Sequence, residues 1–127
     1  MDPTQVMIWV QTITPALSRL DPERAPGVSS VTWSVATDPT TNDVVARGAV
    51  AVGPGQDFTA KAKPEGLAPN VEYWFRFDAG GGRVSPVGRA RTLPEPGASV
   101  DHLRLAFGSC QNWTHGWYPA WEGIAAE

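Results

Sequence analysis

Apolar and polar residues alternate with a period of two along several short stretches of this chain, and that period is what a strand with one buried face imposes. From Val31 to Val35 the alternation is strict: Val31, Trp33 and Val35 fall on one side, Thr32 and Ser34 on the other, and Trp33 is expected to anchor the core. Phe58, Ala60 and Ala62 alternate with Thr59, Lys61 and Lys63. Val71, Tyr73, Phe75 and Phe77 share a face, with Glu72, Trp74 and Arg76 opposite. Three further strands are predicted. Gln5 to Thr12 is β-branched and aromatic and reads as apolar on both faces, Val44 to Val52 carries Gly48 as a candidate bulge, and Val84 to Thr92 returns along the sheet with Pro86 near its start or on an edge.

The breaks between these runs are made of turn residues. Thr14-Pro15 ends the first, a polar loop with Asp21-Pro22 and Pro26-Gly27 fills Ser18 to Ser29, Asp38 to Asp43 and Gly53-Pro54-Gly55 are turns, and Ala79-Gly80-Gly81-Gly82 supplies a hairpin. Leu93 to Ala98 is a proline-stiffened linker. The count comes to about seven strands in about 95 residues, the pattern of an all-β sandwich. Tyr73 lies just inside a strand that follows Leu67-Ala68-Pro69, which matches the tyrosine corner of such sandwiches, where the phenol bonds to backbone a few residues upstream. This stretch resembles a fibronectin type III, Ig-like domain.

After the linker the pattern changes. Leu103 to Phe107 reads as a strand, Gly108 and Ser109 break it, and Cys110 occupies the first position of the following loop. Pro119 then opens a helix that shows Trp117, Trp121 and Ile124 on one side. In an open α/β sheet, ligands gather at the carboxyl ends of strands, which is where Cys110 falls. A strand and a helix cannot close a core, so residues 99–127 are expected to open a second, truncated α/β domain after a sandwich and linker over 1–98. The unsupported face of Trp117, Trp121 and Ile124 is expected to promote self-association.

Composition narrows the picture only a little. The 127 residues are 42% hydrophobic, and 13 glycines and 12 prolines suit many turns and few long helices. A formal charge of −3 and a pI near 5.3 give no electrostatic footprint for nucleic acid or an anionic membrane. The single cysteine excludes an internal disulfide. No run approaches a transmembrane helix, and Met1-Asp2-Pro3 lacks the basic and apolar regions of a signal peptide.

Taken together, the sandwich pattern, the linker and Phe107-Gly108-Ser109-Cys110-Gln111-Asn112 with His115-Gly116-Trp117-Tyr118 resemble the amino-terminal part of PhoD-type alkaline phosphatases. Asp2-Pro3-Thr4, Val31-Thr32-Trp33 with Ala36-Thr37-Asp38, Leu67-Ala68-Pro69 with Glu72-Tyr73, and Ser85-Pro86-Val87-Gly88 extend the likeness. The resemblance implies an exported metallophosphoesterase that hydrolyses phosphate monoesters and diesters at a centre of iron and calcium, with Cys110 as an iron ligand. It also implies that the remaining ligands, an aspartate, a tyrosine, an asparagine and a histidine, fall downstream of Glu127. On that basis residues 1–127 alone hold no stably bound metal and no catalytic residue.

Each candidate residue also has an ordinary reading. A lone cysteine after a strand is commonly inert and buried, and a nucleophilic role would need His115 or His102 as a base. Asn112-Trp113-Thr114 fits a glycosylation sequon. Trp113, Trp117 and Trp121 form either a sugar-stacking platform or packing for the second domain. Trp74 either meets that domain or is partly exposed, and Arg89 and Arg91 read as a solvated strand face. A stand-alone fibronectin-like binding module without catalysis is the alternative function.

Overall fold

The protein is described from a computed structural model, over residues 2–11, 29–102 and 119–126. Within them the chain forms two antiparallel sheets. The larger has four strands: β2 (Ser30–Ala36) lies between β3 (Val44–Ala51) and β5 (Glu72–Asp78), and β6 (Gly88–Arg91) pairs with the outer side of β5. The smaller pairs β1 (Ile8–Gln11) with β4 (Thr59–Ala62). The architecture is an all-β sandwich, as the alternation predicts.

The core draws on both sheets. Ile8, Ala60 and Ala62 from the small sheet meet Val31, Val35, Tyr73 and Phe77 from the large one, with Val52 and Leu67 from the connections. Trp33 and Phe75 are half-buried and pack against this cluster. Full burial of a side chain such as Phe77 contributes about 2 kcal/mol, whereas an exposed ion pair contributes at most about 1 kcal/mol. The inner face therefore holds the fold, and the outer face of the large sheet is left for other purposes.

Gly48 does not form the expected bulge. It sits directly opposite Trp33, whose indole lies so close over it that a Cβ there would come within 2.6 Å of the ring. The bulge is displaced to the end of the hairpin, where Val35 pairs with Ala46 and Ala36 with Val44, leaving Val45 as the extra residue. Gly88 repeats the arrangement under Phe75, with a Cβ-to-ring approach of 2.4 Å. In both places an aromatic ring occupies the space of a missing side chain on the neighbouring strand.

The returning strand is shorter than the pattern from Val84 to Thr92 suggests. Val84 forms a bridge with Asp78, and Ser85 exchanges two bonds with Phe77: its N–H donates to the carbonyl at 2.9 Å and its Oγ accepts from the N–H at 3.0 Å. Pro86, having no N–H to give, interrupts the ladder until Gly88. The expected hairpin turn forms at Gly80, Gly81 and Gly82, all with positive φ, and is closed by a bond from Ala79 N–H to the Arg83 carbonyl at 2.9 Å.

The tyrosine corner is present. The buried Tyr73 phenol oxygen accepts from the Ala68 N–H at 2.9 Å. A second residue, which alternation alone does not single out, completes it: Thr92 Oγ1 accepts from Val71 N–H at 3.0 Å and lies 2.6 Å from the Ala68 carbonyl. The Asn70 N–H donates to the Leu93 carbonyl at 2.9 Å. These bonds fix the point at which the chain leaves the sandwich for the linker. Beyond it, α1 (Pro119–Ala126) matches the helix expected after the linker.

Candidate functional site

The residue on which the chemical reading rests, Cys110, lies outside the described residues, as do His115, Asn112, Trp113 and Trp117. His102 is described and exposed. On α1, Trp121 is 40% exposed and Ile124 half-buried. Among the described residues no group of three or more histidines, cysteines, aspartates or glutamates is placed to hold a metal ion.

What the described residues do assemble is the outer face of the large sheet. Antiparallel register sets Arg47 of β3, Ser34 of β2 and Arg76 of β5 in one row across three strands. In the neighbouring row Ala36 stands opposite Trp74, and Trp74 opposite Arg89. Glu72 and Arg91 form the next. Side chains directly opposite each other share a face, so Arg47, Arg76, Arg89 and Arg91 all project away from the core, around a half-buried Trp74. Arg89 is the nearest to neutralised, its Nε 3.6 Å from the Glu72 carboxylate, and Arg91 donates to the Asn70 side-chain oxygen at 3.0 Å. The side chains of Arg47 and Arg76 have no hydrogen-bond or ion-pair partner among the described residues. Strand patterns alone place Arg89 and Arg91 on a solvated face. Alternation along β5 already sets Arg76 beside Trp74 on an outer face, and the register across three strands brings Arg47 into line with it.

The β2–β3 hairpin is a second polar assembly, and an inward-looking one. The Asp38 carboxylate accepts from the N–H groups of Thr40 at 2.9 Å, Asn42 at 3.0 Å and Asp43 at 2.7 Å, and from the Thr40 hydroxyl. The Thr40 hydroxyl bond, followed by the Asp43 amide, holds the Asp38 carboxyl below its ordinary range. At the amino terminus Asp2 is lowered in the same way, first by the Thr4 hydroxyl and then by the Thr4 amide. Both carboxylates are engaged in closing their own turns, which is a structural use of the charge.

A family model described as "PhoD-like phosphatase, N-terminal domain" matches residues 1–94. The chain belongs to the PhoD-like phosphatases. Alkaline phosphatase D of Bacillus subtilis (strain 168) is 39% identical over 97 residues, which make up 76% of this chain and 16% of that protein. A solved structure described as "Structure of PhoD" superimposes with a TM-score of 0.82 and 34% identity, over 98% of this chain and 23% of that one. The chain thus spans less than a quarter of the length of the PhoD relatives it matches, and the likeness to the solved PhoD includes nearly all of it.

Proposed function

We propose that this chain is the amino-terminal part of a metal-dependent phosphoric ester hydrolase, in which the sandwich is a scaffold beside the active site. The observation that carries the reading is the family match across residues 1–94. The tyrosine corner supports treating the sandwich as fibronectin-like, and the Leu93 to Ala98 segment supports a boundary near residue 98. The substrate is a phosphate monoester or diester, and the complete protein is exported.

Cys110 is the residue of this chain assigned to the metal centre. A thiolate is a soft donor suited to iron, and binding would itself deprotonate it. One donor cannot fill a coordination shell, so the other ligands come from further segments of the polypeptide. When bound, iron and calcium would neutralise charge developing on the phosphoryl oxygens during transfer to water.

The test is Cys110→Ala in a complete protein carrying this segment, with metal analysis beside a phosphatase assay. Iron content and activity are expected to fall together while the thermal midpoint of the sandwich stays unchanged. Full metal occupancy in the folded variant would exclude Cys110 as a ligand, and lost activity with metal retained, together with a phosphocysteine in the parent enzyme, would make it a nucleophile.

A further inference from the structure

We propose that the outer face of the four-stranded sheet, centred on Trp74 and bounded by Arg47, Arg76 and Arg89, is a docking surface for an acidic protein segment. The inference is independent of the phosphatase chemistry. It starts from a segregation of charge: the chain as a whole is net −3, yet four of the seven lysines and arginines among the described residues lie on this one face. The carboxylates that share it are Glu72, beside Arg89, and Asp78 at the far end, whose side chain accepts from the Gly80 N–H at 2.7 Å. Among the described residues, that leaves the row through Ser34 without a counter-charge. Arg47 and Arg76 flank Ser34 two strands apart, about 10 Å from backbone to backbone, and both are exposed.

The chemistry of the face selects a protein over a small anion. A small-ligand site is concave and encloses its ligand, whereas this is one face of a sheet. Its cations are all arginines, and its aromatic centre is a tryptophan. Arginine and tryptophan are the residues that carry most of the binding energy in protein interfaces, while lysine is depleted there. Ala49 and Ala51, exposed on the same side of β3, leave room for another backbone to approach. An acidic partner would present carboxylates to Arg47 and Arg76, which form paired, directional bonds to a carboxylate fork, while Trp74, two residues before Arg76 on β5, provides apolar contact in the neighbouring row.

A fluorescently labelled oligoglutamate peptide, titrated against the chain and followed by anisotropy, tests the proposal. Binding is expected at low salt and should weaken as ionic strength rises. Arg47→Ala combined with Arg76→Ala should weaken it about tenfold or more, with an unchanged thermal midpoint because both side chains are exposed. Arg83→Ala, on the hairpin tip and off this face, should leave it unaltered. Three results would overturn the proposal: no peptide binding at low salt, parental affinity in the double variant, or tighter binding of polyphosphate or a short oligodeoxynucleotide than of the peptide. The last would make the face a site for phosphate polyanions.

Discussion

Two threonines in this sandwich are buried to nearly the same extent, Thr41 at 5% and Thr92 at 3% exposure, and the structure uses them in opposite ways. Thr92 joins the end of β6 to the corner before β5, its hydroxyl accepting from Val71 and meeting the Ala68 and Val71 carbonyls at 2.6 and 3.2 Å. Thr41 lies at the tip of the β2–β3 hairpin with a φ of 58° and a hydroxyl that has no partner among the described residues. The hairpin around it is held by the Asp38 carboxylate. Burial of a polar group is therefore not by itself a stabilising fact. Its sign depends on whether the desolvated hydroxyl recovers its bonds.

Loss of a hydroxyl should cost most at Thr92. Replacing it with Val keeps the shape but leaves the Val71 N–H and the Ala68 carbonyl without this partner, and should cost about 2 to 3 kcal/mol in denaturant unfolding. A loss below about 0.5 kcal/mol, the level of an ordinary surface change, would mean that the corner is not held by this hydroxyl. Tyr73→Phe removes one bond of the same corner and strands the Ala68 N–H, for an expected loss of about 1 kcal/mol. The two variants should show coupling in a double-mutant cycle, since both act on Ala68. At the other threonine the sign should reverse. Thr41→Val removes a buried hydroxyl without a partner among the described residues and keeps a β-branched side chain at the same φ, so a stabilisation of about 1 kcal/mol is expected. Destabilisation would show that the Thr41 hydroxyl has a partner after all.

Acid sharpens the contrast with a smaller and more local effect. The folded-state pKa of Asp38 is lowered, so its carboxylate contributes above the unfolded-state value and that contribution is lost as the pH falls through the folded one. Protection relative to the intrinsic exchange rate should fall at the Thr40, Asn42 and Asp43 amides at a pH below the ordinary carboxylate range, while the Val71 and Ala68 amides, bonded to hydroxyl oxygens, keep their protection. Simultaneous loss at both places would point to global unfolding and away from a local carboxylate hub.

These differences mark what the sequence could and could not disclose. The β2, β4 and β5 strands are legible because a period of two is a local property, and the tyrosine corner is legible because Leu67-Ala68-Pro69 and Tyr73 are close in sequence. Gly48 is misread as a bulge because its cause, the Trp33 ring, lies on another strand. Thr92 bonds to residues 21 and 24 positions earlier, and no short window contains that relation. The row of Arg47, Ser34 and Arg76 is hidden for the same reason: each residue is visible on its own strand, but only pairing register aligns them. Cys110 stands apart, since its proposed role comes from the motif around it and it lies outside the described residues.

The bond between the Asn70 N–H and the Leu93 carbonyl has a consequence of a different kind. It turns the exit of the sandwich into a fixed anchor for a leash. From that anchor, residues 94–102 form a described segment without helix or strand, and nine extended residues reach at most about 30 Å. The prolines at 94 and 96 and the turn closed between Ala98 N–H and the Glu95 carbonyl shorten that reach. The point at which anything beyond residue 102 is attached therefore lies within about that distance of the anchor, so its effective concentration near the sandwich is set by the leash and not by the bulk solution. Lengthening the leash would then change how often the two parts meet without altering a single contact between them.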